Sequence, residues 1–355
     1  MRKRVITLLV IIAIMLTGCN KNTSIQTNDV SINITSSNGT IEMSPCERVY
    51  IEAPIPEIED VQVYSSTLRV YTIDVIQTIL CKKNSAILST TELGNNTHLY
   101  VLDSGETVFI MPGMIAYDNM ESQAQMNLIG LNALCLENLD NKESREWYEN
   151  HLSSIASKLA LPNMHIDNIQ KTDIEALEKT QAERIENDPG YRKNVENGDF
   201  PYIDHWSSTD ERIVVTFSFC IENTQILTKP FEMLDTTFVN ELSGTAYYKN
   251  KELVALQIGA GIPSEIISTT SQSRTPSLDD VINTLRNKYT EIIFSNDIVF
   301  NSIELIYMPI PNKLNSFEIT YVPVWQCKAT QKYSDDDWEL EKVIYIDAIT
   351  GKEIR

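Results

Sequence analysis

The chain has 355 residues, 29 of them basic and 49 acidic, for a formal charge of −20. Such a surplus of carboxylates repels a phosphate backbone and anionic headgroups, which excludes nucleic-acid binding as a function class. With 42% hydrophobic residues the composition is that of a globular protein, and the length is more than one core usually organises.

The chain opens MRKRVITLLVIIAIMLTGC. Arg2, Lys3 and Arg4 form a positive leader, and Val5 to Leu16 is an apolar run interrupted only by Thr7. That run is short of the roughly 20 residues needed to span a bilayer but suits the core of a signal peptide. Leu16-Thr17-Gly18-Cys19 then resembles the bacterial lipobox. The resemblance implies that residues 1–18 are removed and that Cys19 receives a diacylglycerol. The lipid would hold the protein at the outer face of the cytoplasmic membrane. Richness in Ile, Asn, Lys, Ser and Thr points to a Gram-positive source.

Residues 19–58 read as a flexible tether. CNKNTSIQTNDVSINITSSNGTIEMS is polar and aperiodic, and the two prolines of APIPEIED oppose helix. A coil of that length spans roughly 35 Å. Cys46, Cys81, Cys135, Cys220 and Cys327 follow Cys19 with no CxxC among them, so neither a zinc ribbon nor a thioredoxin-like site is indicated. Disulfides and isolated thiols both stay open.

Residues 59–270 read as a mixed α+β domain. VQVYSSTLRVYTIDVIQTILCK predicts a strand and then a short helix, and THLYVLDSGETVFIM predicts a hairpin about Asp103 to Glu106. In ESREWYENHLSSIASKLAL, Tyr148, Leu152, Ile155 and Leu159 share one helical stripe that Pro162 ends. Thr172-x-x-Glu175 looks like a capping box for a charged helix that stops at Asn187-Asp188-Pro189-Gly190. Without a clear apolar face, that helix reads as a solvent-exposed excursion. RIVVTFSFCI and GTAYYKNKELVALQIGAGI read as strands, the second turning at Lys249-Asn250-Lys251.

Residues 271–355 carry a helix and three strands. Ser277 caps the helix with Asp280 at N3, and Leu278, Val281, Ile282, Leu285 and Tyr289 form its buried stripe. The strands are IVFNSIELIYM, SFEITYVPVWQCKA and LEKVIYIDAI. The expected fold class is α+β, with antiparallel sheets each packed by a helix. The helix at Ser144–Ala160 allows a second α-β-β-β unit in tandem.

PVW on the middle strand and IDAITGKEI at the end resemble PepSY-like modules and related extracytoplasmic regulators of a cell-wall sensor kinase. The same ending resembles uncharacterised lipoproteins of clostridial type. Pro323, Trp325, Asp347, Ala348 and Gly351 carry the likeness over about the last eighty residues. It implies a small binding or inhibitory module and transfers no catalytic residue. Pro323 predicts a strand edge or bulge, because proline cannot donate to a ladder. Trp325 predicts cover for the core, with Cys327 on the same face. Asp347 and Gly351 predict a turn before a short returning strand. Asp335, Asp336 and Asp337 lack calcium-loop spacing and read as a solvated turn.

His98, His151, His165 and His205 form no close metal pair, and no nucleophile elbow, P-loop or dinucleotide fingerprint occurs. His151 reads as a surface partner of Trp147 one helical turn before it. Tyr202, Asp204, His205 and Trp206 in FPYIDHWSS are the candidate ligand-binding residues, with a packed loop as the plainer reading. No cofactor, metal site or catalytic residue is assigned. The function expected is a non-enzymatic, lipid-anchored protein that binds or regulates an envelope component such as a sensor kinase. The alternatives are a solute-binding or sensor lipoprotein with a pocket near Tyr202–Trp206, or an extracellular hydrolase.

Overall fold

The structure, a computed structural model, describes the chain from residue 35 onward. It leaves out residues 38–39, 57, 59, 83–84, 122–123, 125, 127–135, 140, 234–237, 240, 270–274, 291, 293–295, 313–316 and 333–338. Cys19, the leader, Cys135 and Asp335 to Asp337 lie outside the described residues.

The chain folds into two compact units, and it passes between them at 68/69, 219/220, 241/242 and 262/263. The first unit is Arg69–Phe219 with Leu242–Ile262; the second is the described chain up to Leu68, Cys220–Glu241 and Pro263–Arg355. The units are thus interleaved along the chain, and the expected sequential division at 270/271 is not where they part.

The elements run in chain order. The second unit opens with β1 (Thr35–Ser37), β2 (Thr40–Cys46), β3 (Val49–Pro54) and β4 (Tyr64–Thr67). The first unit follows with α1 (Ile73–Leu80), β5 (Ile87–Gly94), β6 (Thr97–Leu102), β7 (Thr107–Met111) and β8 (Met114–Asp118). It continues through β9 (Leu136–Asn138), α2 (Lys142–Lys158), β10 (Asn163–Thr172), α3 (Ile174–Asn187), α4 (Pro189–Glu196) and β11 (Ile213–Ile221). Next come β12 (Thr224–Gln225), β13 (Phe231–Glu232) and β14 (Phe238–Val239), then β15 (Ser243–Lys249) and β16 (Glu252–Ile258). The second unit closes with β17 (Ile267–Ser268), α5 (Leu278–Tyr289), β18 (Ile298–Pro311), β19 (Glu318–Lys332), β20 (Glu339–Asp347) and β21 (Glu353–Ile354).

In the second unit the strand order is β1-β2-β3-β18-β19-β20-β21, with β4 joining β17 to β19. The tether expected over residues 19–58 gives way here. Val49, Ile51 and Ala53 alternate into the core, and Val49–Ile51 pair in parallel with Ile298–Phe300. That pair, like the isolated bridge between Ile226 and Tyr307, departs from the antiparallel expectation; the other described strand pairs of the unit are antiparallel.

Helix α5 packs Val281, Ile282, Leu285 and Tyr289 onto one face of this sheet, against Trp325, Cys327 and Ala329 of β19. Ser277 does cap it, accepting from Asp279 N at 3.2 Å, one residue earlier than a capping box requires. Asp279 and Asp280 in its first turn and Arg286 and Lys288 in its last complement the helix dipole. On the opposite face, Leu227 and Val239 pack on Ile306, Met308, Val324 and Tyr345.

In the first unit the strand order is β5-β6-β7-β8-β16-β15-β11-β10-β9. Helix α2 begins where the Asn141 side chain accepts from Ser144 N. It ends in a Schellman arrangement, with Leu161 N bonded to Ala156 O and Ala160 left-handed at φ +50 just before Pro162. Its stripe of Tyr148, Leu152, Ile155 and Leu159 is buried as expected. Tyr148 lies 5.0 Å from the ring of Tyr248 in β15.

Helix α3 departs from expectation at its start. Asp173 caps it by accepting from Ala176 N, while Thr172 remains in β10 and accepts from Arg212 N. Nor is it a solvent-exposed excursion. Leu177 and, from α4, Tyr191 pack with Trp206, and the Arg184 guanidinium sits 4.2 Å above the Tyr191 ring. The helix breaks at Asp188, whose carboxylate caps α4 through Tyr191 N.

The architecture is mixed α+β. Each unit contains a helix followed by strands that lie side by side in its sheet, α2 with β10, β11 and β15, and α5 with β18, β19 and β20. Among the described residues no helix is long and apolar enough to cross a membrane.

Candidate functional site

The four loop residues do not come together as a pocket. Trp206 is buried under α3, whereas Tyr202 is half exposed and Asp204 and His205 face solvent. Gln181, buried in α3, fixes the loop by donating from Nε2 to Ile203 O at 2.7 Å. That anchor turns Trp206 inward and its polar neighbours outward, so the residues form a packed loop.

The C-terminal signature residues sit in the second unit as fold determinants. Asp347 Oδ1 accepts from Ile349 N and Thr350 N, each at 2.8 Å, and Gly351 closes the turn at φ +68. Strand β21 then returns against β20, pairing Ile354 with Tyr345. Pro323 is not at a sheet edge. It lies in the central strand β19, between the segment paired with β4, ending at Tyr321, and the segment paired with β20, beginning at Val324. A missing N–H costs nothing in that gap, and Pro323 O still accepts from Ala348 N at 2.9 Å. Trp325 is fully buried in the same core cluster as Cys327.

A concave site does occur within the first unit. An open cleft of about 400 Å³ is bounded by the end of α1, by α2, by Tyr117 of β8 and by the β15–β16 turn. Ile79, Leu80, Ile155 and Leu253 give it an apolar floor. Lys82, Lys158 and Lys251 stand on its rim with a single carboxylate, Glu252.

Each rim residue is placed by local structure. Lys158 ends α2. Lys251 occupies the second left-handed position of a tight turn, at φ +65 after Asn250 at φ +50, the place where an Asn-Gly pair is usual. The Lys82 backbone N–H donates to Glu106 Oε1 at 2.9 Å.

Glu106 underpins this wall. It is fully buried and accepts four hydrogen bonds, from Lys82 N, Ser85 Oγ, Ser104 Oγ and the Tyr117 hydroxyl. Burial alone would raise its carboxyl, but the four donors outweigh burial and hold it below the usual range. The Tyr117 hydroxyl is pushed up, first by burial and then by Glu106.

His151 stacks on Trp147 with centroids 4.9 Å apart and planes 9° from parallel, and Lys251 Nζ lies 5.4 Å above the same indole. His151 Nδ1 is 3.3 Å from the Tyr248 hydroxyl. Which of the two donates depends on the tautomer: with the ring proton on Nε2, the Tyr248 hydroxyl donates to Nδ1. Burial, and then Lys158, lower the His151 pKa and favour the neutral ring.

Cys81 also lines the cleft. Burial, and then Glu106, push its thiol up to about 12, so the nucleophilic thiolate is scarce at neutral pH. Cys46, Cys81, Cys220 and Cys327 are outside any disulfide. No three His, Cys, Asp or Glu side chains among the described residues are grouped to hold a metal ion. The arrangement offers positive charge, the imidazole of His151 and the Tyr117 ring above an apolar floor. Those are means of holding a ligand.

Reading the sequence alone missed this cleft, since it draws on four separate stretches of chain. The i, i+4 pair of Trp147 and His151 was its one local sign.

No protein-family profile matches the chain, and no curated protein does. Among solved structures, the crystal structure of an uncharacterized protein from Eubacterium rectale is similar. The two share a TM-score of 0.57 at 14% sequence identity, over 89% of this chain and 93% of that one. A likeness at that identity is one of fold alone.

Proposed function

We propose that this is a non-enzymatic, lipid-anchored binding protein of the cell envelope. Cys19 would hold it at the outer face of the cytoplasmic membrane, and its two units would be PepSY-like α-β-β-β modules in tandem. The first-unit cleft is the observation that carries the binding reading: an apolar floor, the Tyr117 and His151 rings and converging lysines within about 400 Å³. The raised Cys81 thiol weighs against nucleophilic chemistry there. The lipobox-like LTGC supports the anchor, and the order of helix then neighbouring strands in each unit is compatible with the tandem. Regulation of an envelope protein such as a sensor kinase is a second reading, favoured by the signature at Pro323, Trp325, Asp347 and Gly351.

Ser154 lies exposed on α2 at the cleft and can be enlarged without disturbing the core. A thermal-shift screen of small solutes is expected to find compounds that raise the melting temperature. Ser154→Phe, with an unchanged circular dichroism spectrum, is expected to abolish the rise. Stabilisation that survives in Ser154→Phe, or no stabilising solute at all, contradicts the reading.

A further inference from the structure

We propose that the first-unit cleft is a site for small oxyanions, carboxylates or phosphate monoesters borne on a flat or apolar body; this rests on reading the protein as a binding protein. The chain carries 49 acidic residues against 29 basic, yet the cleft gathers three lysines and one glutamate. Lys82, Lys158 and Lys251 make no ion pair among the described residues, whereas Lys249 and Lys288 are each held by a glutamate. Set against Glu252 and the buried Glu106 behind the wall, the three unpaired ammonium groups leave a net positive balance at the cleft that favours negative charge.

The imidazole adds direction to that charge. In the tautomer in which the Tyr248 hydroxyl donates to Nδ1, His151 offers Nε2–H, and no group among the described residues takes it up. A neutral N–H flanked by ammonium groups suits an oxyanion and offers nothing to a cation. The His151 ring, held from behind by Trp147, and the floor of Ile79, Leu80 and Leu253 accept an apolar body.

Lys251 supplies a separate sign. A lysine at φ +65 occupies a conformation that glycine adopts without strain. Its side chain borders the cleft and covers the Trp147 ring, so the strained position puts a charge beside the site.

The test is calorimetric titration of the full lipidated chain in detergent micelles. The probes are phenyl phosphate and benzoate as aryl anions, benzyl alcohol as a neutral control and benzylamine as a cation. One or both anions are expected to bind, more weakly at high salt, and to shift the His151 ring nitrogens in an NMR spectrum. Lys158→Gln and Lys251→Gly are each expected to weaken the anion by about tenfold. Lys251→Gly should melt no lower than the parent, since it relieves the turn, so lost affinity cannot be put down to unfolding. Preference for phenyl phosphate or for benzoate separates the two oxyanion sources. Binding of benzyl alcohol or benzylamine in preference to both anions overturns the anion assignment while leaving the binding reading intact. Equal affinity in the lysine variants also overturns it, and failure of every probe to bind defeats the proposal outright.

Discussion

Trp325→Ala is expected to destabilise the second unit by about 3–5 kcal/mol, the range for removing a large buried aromatic side chain. Trp325 is fully buried and belongs to the core cluster that α5 builds with β18, β19 and β20, alongside Leu285, Ile303 and Ile346. A sheet held by long ladders cannot collapse readily into the space an indole leaves, so most of the cavity would persist. Its buried Nε1–H has no acceptor among the described residues. Trp325→Phe removes that orphan donor and keeps much of the ring, so it is expected to cost far less.

Cys327, two residues on and fully buried on the same face, reports the damage. In the parent its thiol should resist alkylation, and in Trp325→Ala local opening should expose it. Denaturant titration gives the energy, and site-resolved mass spectrometry gives the labelling rate. A cost below about 1 kcal/mol, well under the range for such a truncation, would contradict this account of the core, as would unchanged labelling of Cys327.

The second large effect is overpacking in the first unit. A Cβ built at Gly244 of β15 would lie 2.2 Å from Phe217 Cζ and 2.9 Å from Gln257 O. Phe217 stands opposite Gly244 across the β11–β15 ladder, is almost fully buried, and meets Phe219 edge-on at 5.6 Å. Its ring therefore occupies the space a side chain would need, and the buried ring must shift within a packed interior to yield it. Gly244→Ala is expected to cost about 3 kcal/mol, at the upper end for an added methyl in a packed core.

The cause is separable from backbone entropy. Alanine in a strand is no worse than glycine unless something is in its way. In a Phe217→Leu background the clash is shortened, and the cost of Gly244→Ala should fall by at least about 1 kcal/mol. A double-mutant cycle in urea measures that coupling, and strict additivity would show that the ring is not the obstacle.

Local pattern made much of the second unit legible. Ser277, the i, i+3, i+4 stripe of α5 and the Asp347–Gly351 turn each act within a few residues, and each was readable from the sequence. The hairpin at Asn250 and Lys251 was readable for the same reason. Residues 40–54 were misread because their polar Asn, Ser and Thr surroundings hid the alternation of Val49, Ile51 and Ala53. What holds them is a parallel pairing with Ile298–Phe300, which no local signal announces.

Pro323 was misplaced on similar grounds. Proline's missing donor implies an unpaired position, and a gap between two partner strands meets that need as well as an edge does. Trp206 looked functional because aromatic, acidic and imidazole groups are adjacent in sequence. Successive residues of an extended loop point in different directions, and of the four candidates the tryptophan alone is buried. The cleft was hidden for the converse reason, as Lys82, His151 and Lys251 meet only after the sheet has formed.

The central claim is that the protein works outside the cytoplasmic membrane, tethered through a lipid on Cys19. Mass spectrometry of the mature N-terminal peptide, taken from membrane-fraction protein, tests it most directly. The account predicts a chain that begins at Cys19 and carries diacylglycerol on the sulfur, a species absent from Cys19→Ala. A chain that begins at Met1, or an unmodified Cys19 in membrane-bound protein, would contradict it.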